Sequence, residues 1–141
     1  MAGDLDAIVM MTGGKRAQYA GYQPVFHRPA AGAEAMQRPW LAGIIANPEY
    51  LCLTAEEGGR VTGFLQGRPV KAPPVYDPGG LVLMVDDFVV ADTSLWPTTG
   101  RALLDEARRR GATRGAVLVN VVCGPLDAPK RAMLAAAGLS V

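Results

Sequence analysis

Ten residues, LVLMVDDFVV from Leu81 to Val90, constrain this chain more than any other stretch. Their apolar density predicts a strand central in a sheet, with two adjacent acids set into it. An amphipathic helix is predicted from Thr98 to Arg110, then a second apolar strand from Arg114 to Val122 and a last helix from Asp127 to Ala137. A strand, a helix and a strand in that order form a crossover, which makes the two strands parallel neighbours.

Upstream of the crossover the pattern is helical first and then extended. GDLDAIVMM offers Asp4 or Asp6 as a cap for a first helix, whose middle Gly13 and Gly14 weaken. A second helical region, RPAAGAEAMQRPWLAGIIANPEY, is expected to break or kink at Pro39, which suits the first turn of a new segment, and to stop at Asn47 and Pro48. From Leu51 the residues alternate on either side of EEGGR, the signature of an antiparallel hairpin. The loop KAPPVYDPGG then leads into the central strand. The fold class expected is α/β: a mixed, mainly antiparallel sheet flanked by helices on both faces, as one domain over residues 1–141.

Composition narrows the functions. With 19% charged residues and a formal net charge of +1, no basic stripe exists to hold nucleic acid, and ARRRG at Ala107 to Gly111 falls where a helix end favours cations. No apolar run is long enough to cross a bilayer, and the start lacks the pattern of a signal peptide, so a cytoplasmic protein without membrane or nucleic-acid partners is expected. Cys52 and Cys123 sit in strand-like apolar runs and read as packed thiols. A lone histidine, His27, leaves no ligand set for a metal. Met10, Met11, Met36 and Met84 read as core fillers.

Ligands of such sheets favour the carboxyl ends of strands, which directs attention to the turn after Val90. A helix opening there offers unpaired amides and partial positive charge to a phosphate, here from Thr98, Thr99, Gly100 and Arg101. Neither G-x-G-x-x-G nor G-K-[ST] is present, so dinucleotide and nucleoside-triphosphate sites lose their main support. Asp86 and Asp87, as successive strand residues, are expected on opposite faces, so one of them is available as a base and the pair cannot grip one metal.

The segment resembles the GNAT superfamily of acyl-CoA-dependent N-acetyltransferases. VDDFVV at Val85 to Val90 is similar to that family's acid-bearing fourth strand. GRALLDEA at Gly100 to Ala107 is similar to its Q/R-x-x-G-x-G/A helix opening, with Leu95 at the Gln/Arg position, Thr98 at the first Gly and Gly100 at the second. DAPKRAMLAAAGL resembles the N-x-x-A…Y-x-x-x-G-F helix, with Asp127 near the Asn position, Leu134 at the Tyr position and Gly138-Leu139 for Gly-Phe.

The resemblance implies acetyl-CoA as co-substrate and transfer of its acetyl group to a primary amine by direct attack. It implies that Phe88, Val89 and Val90 pair with the pantetheine arm, that an N–H near Val89 polarises the thioester carbonyl, and that the amides from Leu95 to Arg101 hold the pyrophosphate. Asn120 is a further candidate for the cofactor arm. His27, Tyr76 and Asp77 border the region where the acceptor enters, and Asp86 or Asp87 is the candidate catalytic acid–base. Leu134 replaces the tyrosine that protonates the leaving thiolate, which leaves a non-catalytic CoA-binding or regulatory protein as the alternative. The family's first strand and last hairpin have no counterpart here, as in a truncated copy or a protein whose second subunit covers the sheet edges, and a homodimer is expected.

Overall fold

A computed structural model describes residues 2–141, with nothing described of the side chain of Ala2. A 3₁₀ turn at Ala2–Asp4 enters α1 (Leu5–Tyr22), followed by α2 (Ala33–Ala46), β1 (Leu51–Glu57), β2 (Arg60–Val70) and β3 (Leu81–Val90). The crossover helix α3 (Arg101–Thr113), β4 (Ala116–Val121) and α4 (Ala128–Ala136) complete the order. The sheet runs β1-β2-β3-β4, antiparallel at its first two junctions and parallel between β3 and β4. The expected α/β class, hairpin and crossover are all present.

Each face of the sheet carries its own apolar cluster. Ile8, Met11 and Leu41 from α1 and α2 pack on Phe64 and Val89. On the other face Leu103, Leu104 and Ala107 of α3 and Met133, Leu134 and Ala137 of α4 pack on Leu53, Leu65, Leu83, Val85, Phe88 and Val90. Phe88 and Val89 thus face opposite layers, as the period of a strand requires. Gly58 and Gly59 close the hairpin with φ of 57° and 75°, left-handed at both central positions, which is why EEGGR makes so tight a connection.

Two boundaries differ from the sequence expectation, at Pro39 and before α3. Helix α2 continues through Pro39 as one segment. The carbonyl that proline leaves without a donor belongs to Ala35, which is exposed, so water can serve it. Helix α1 carries the expected weak glycines within one segment ending at Tyr22, its buried residues Ile8, Met11, Thr12 and Tyr19 anchoring both halves. The winding before α3 begins at Thr93 rather than Thr98, through a 3₁₀ turn (Thr93–Leu95) and a π turn (Trp96–Gly100). Asp92 caps it by accepting a hydrogen bond from the Ser94 amide at 2.8 Å.

Candidate functional site

The two acids in β3 create the central irregularity of the sheet. Pairing with β2 passes from Gln66↔Asp87 to Gly67↔Val85, so Asp86 is the extra residue of a β-bulge. Gly67 permits it, since a Cβ there would lie 2.6 Å from the Met84 carbonyl oxygen. The bulge also breaks the strict alternation expected of the two acids. Asp86 is exposed, whereas Asp87 is half-buried and pairs with Lys15 of α1 at 3.1 Å, the same ammonium lying 3.4 Å from the Asp86 carbonyl.

Just before the bulge β3 and β4 part company. Their last rungs are Val85↔Val121 and a bond from the Val122 amide to the Val85 carbonyl at 2.9 Å. Beyond it, the Ala91 amide donates to the Thr62 carbonyl on β2. Alternation then turns the backbone of Val89 toward β2 and that of Phe88 and Val90 toward the split. The N–H groups that face the opening therefore belong to Phe88 and Val90, not to Val89.

The split is filled by side chains of this chain. Lys130 of α4 is 0% exposed, and its Nζ donates to the Phe88 carbonyl at 3.0 Å and to the Val122 carbonyl at 3.1 Å. The ammonium lies 5.4 Å from the ring centres of both Phe88 and Trp96, which meet edge to face at 5.0 Å. Burial away from water, with help from the Lys15 charge, pushes the Lys130 amine down to about 7, against the pull of Cys123, Asp127 and Asp87. Asp127 caps α4 and accepts a 2.7 Å bond from the Tyr19 hydroxyl, which in turn accepts from the Gly124 amide at 3.1 Å. Burial, then the bond to Asp127, raises the Tyr19 hydroxyl far above its ordinary value, so it stays protonated.

The other expected residues are distributed as follows. Leu95 packs against the core formed with α3 and α4, while Thr98 is exposed and its hydroxyl donates to the Leu95 carbonyl. Thr99 lies against β2, where a Cβ on Gly63 would come within 3.0 Å of its methyl. A Cβ on Gly100 would meet the Trp96 ring at 2.6 Å, so this glycine is required by packing whatever else it does. The Arg101 amide is engaged inside the helix with Trp96 and Thr98 carbonyls, and its guanidinium with Asp105. Asn120 is exposed on β4 and lines a groove outside the split, beside Cys123, Leu134 and Leu139. His27 meets the Tyr19 ring edge to face at 5.2 Å. Tyr76 and Asp77 make local turn contacts in the loop before Leu81, at the far end of β3 from the bulge. Nothing in the structure brings those two to the split.

Sequence reasoning passed over Lys15, Tyr19 and Lys130. The signal for Lys130 lay in the last motif itself, where a lysine stands three residues after Asp127 at the alanine position of the pattern. Of the arginine cluster, Arg108 donates to the Ala137 carbonyl at 3.0 Å, and Arg109 and Arg110 pair with Glu106, whose carboxyl they hold down at about 2. Burial pushes the Cys52 thiol up to about 11 and raises that of Cys123, consistent with packed, unreactive thiols. Among the described residues no cluster of three or more His, Cys, Asp or Glu could hold a metal, and no helix is long and apolar enough to cross a membrane.

No protein-family model and no curated protein matches this sequence. Solved structures do match its shape. A mutant of the BH1408 protein from Bacillus halodurans superposes with a TM-score of 0.84 at 10% identity, covering 100% of this chain and 90% of that one. A protein described as a predicted acetyltransferase from Clostridium acetobutylicum, determined with acetyl-CoA, gives 0.71 at 15% identity, with 100% and 86% covered. The aminoglycoside N-acetyltransferase AAC(6')-Iy, determined in complex with CoA, gives 0.61 at 17% identity, with 74% and 80% covered. The fold is that of the GNAT acetyltransferases, reached with very little shared sequence.

An acyl-CoA arm needs unpaired backbone on β3 and space beside it. The strand geometry meets the first requirement, since pairing with β4 ends at Val85 and the backbone of Phe88 and Val90 faces the split. The side chains do not meet the second, because Lys130 stands in the space and takes the carbonyls on both walls.

Proposed function

We propose that this chain is an N-acetyltransferase that moves an acetyl group from acetyl-CoA to a primary amine. The observation carrying the reading is the end of β3–β4 pairing at Val85, beside the bulge at Asp86, which leaves the backbone of Phe88 and Val90 without a strand partner on that side. A folded protein rarely leaves central strand backbone without a strand partner, and such a gap suits an extended, amide-bearing ligand that completes the pairing. The thioester supplies the acyl group. The chain's own part is to seat the arm along Phe88 and Val90 and to take up the amine's proton at Asp86 or Asp87. The protein acts in a reducing compartment, which suits its two free cysteines.

Release of free thiol from acetyl-CoA, followed with a panel of small amines and amine-bearing peptides, tests this reading. An acceptor-dependent rate that falls at least tenfold in Asp86→Asn, with unchanged melting temperature, or in Asp87→Asn, with a lowered melting temperature from the lost Lys15 pair but a folded protein, is expected. No rate with any acceptor, despite saturable acetyl-CoA binding, favours the second reading of a non-catalytic CoA-binding or regulatory protein. Leu134 in the core at the position of the expected acid favours that second reading.

A further inference from the structure

Lys130 is the one fully buried cation among the described residues, and its position is not explained by helix capping or by a carboxylate partner. Its ammonium instead spans the two strands, within hydrogen-bond distance of a backbone carbonyl on each wall. A donor at that distance from both walls lies on the midline that any arm pairing with β3 has to follow, since backbone pairing places donor and acceptor about 2.9 Å apart. The side chain is fully buried there with the Phe88 and Trp96 ring centres each 5.4 Å from its nitrogen, so the lysine and a second occupant cannot share the space.

We propose that Lys130 is a latch on the split: its side chain and the thioester arm of an acyl-CoA are alternative occupants of the gap between Phe88 and Val122. Ligand enters as the lysine leaves. The proposal rests on the acyl-CoA reading above and adds to it a determinant of affinity supplied by the chain's own last helix. While latched, the lysine satisfies both carbonyls and completes the core; once displaced, its long side chain must find solvent past Trp96 or beside Tyr19. Affinity for acyl-CoA is thereby lowered by the cost of breaking the latch.

The test is calorimetric titration of acetyl-CoA and CoA into the wild-type protein and Lys130→Ala, with circular dichroism to verify folding. The alanine variant is expected to bind at least tenfold more tightly, the scale of one to two net hydrogen bonds that the ligand no longer has to displace. Should that variant not fold, Lys130→Val shortens the side chain, frees the carbonyls, keeps part of the apolar packing beside Phe88 and Trp96, and is expected to gain affinity in the same direction. Equal affinity in wild type and a folded variant overturns the latch and leaves the acyl-CoA reading standing. Absence of binding to both removes the two together, because an emptied split that takes no CoA contradicts each.

Discussion

At the scale of the residue, the account turns on polar groups placed where a strand is missing. Tyr19, Asp127 and Lys130 join α1 to α4 through the gap, and each is less than a tenth exposed. Tyr19→Phe removes the hydroxyl that serves both the Asp127 carboxylate and the Gly124 amide, and it leaves two buried groups short of a partner. A loss of about 2–3 kcal/mol in urea unfolding is expected, whereas Tyr22→Phe, at a hydroxyl whose partner is the exposed Gln18, is expected to lie within about 0.5 kcal/mol of wild type. Lys130 gives a pH signature. Its amine is depressed to about 7 in the folded protein, so between there and the ordinary lysine value near 10.5 the unfolded chain binds more protons. Stability should therefore rise with pH across that window, the penalty being complete below about 7 and relieved toward 10.5. The charged and titratable groups around it are Lys15 and Tyr19 from α1, Asp87 from β3, and Cys123 and Asp127 between β4 and α4. Melting temperatures of wild type and Lys130→Met from pH 6.5 to 10 check this: the difference between them should narrow or reverse in favour of wild type as pH rises. A constant difference contradicts the buried, depressed amine. These residues were not legible as a group, because sequence spacing says nothing about which residues lie across a gap from one another.

At the scale of the element, the bulge in β3 and the glycine opposite it set the site. Gly67→Ala would drive a Cβ into the Met84 carbonyl, a backbone group that cannot swing aside, and should cost about 2 kcal/mol or more. Gly14→Ala, on the exposed side of α1 with nothing within 4 Å, should instead stabilise by about 0.5–1 kcal/mol. Denaturant titration of the two variants separates a glycine that the sheet requires from one that the helix merely tolerates. Both helices and strands were readable from periodicity, since LVLMVDDFVV and RALLDEARRR carry their burial in their spacing. The bulge was not, because it exists only in the register between β2 and β3. The same holds for the start of the crossover winding: the sequence places it at Thr98, whereas Asp92 caps a turn that begins at Thr93, and Pro97 sits within those first turns.

At the scale of the whole molecule, two helices on each face of a four-stranded sheet leave β4 as an edge. Val117, Leu118 and Val122 are each about half exposed along it, beside a groove that also takes in Leu134 and Leu139. Edges of this kind are covered in stable proteins, and the homodimer expected from the sequence would use this one. Sedimentation velocity should give a dimer that Leu118→Lys converts to a folded monomer; a wild-type monomer at all concentrations rules this interface out. The order of elements, the crossover and the GNAT resemblance were legible in the sequence, since each follows from pattern along the chain. The occupied state of the split was not, since it depends on a lysine reaching across from the last helix. The central claim is that the gap beside Phe88 and Val90 receives the thioester arm, and amide chemical-shift mapping of the labelled protein at millimolar acetyl-CoA tests it most directly. The largest shifts are expected at Phe88, Val90, Val122 and Lys130; shifts confined to the groove along β4, or none at all, would contradict it.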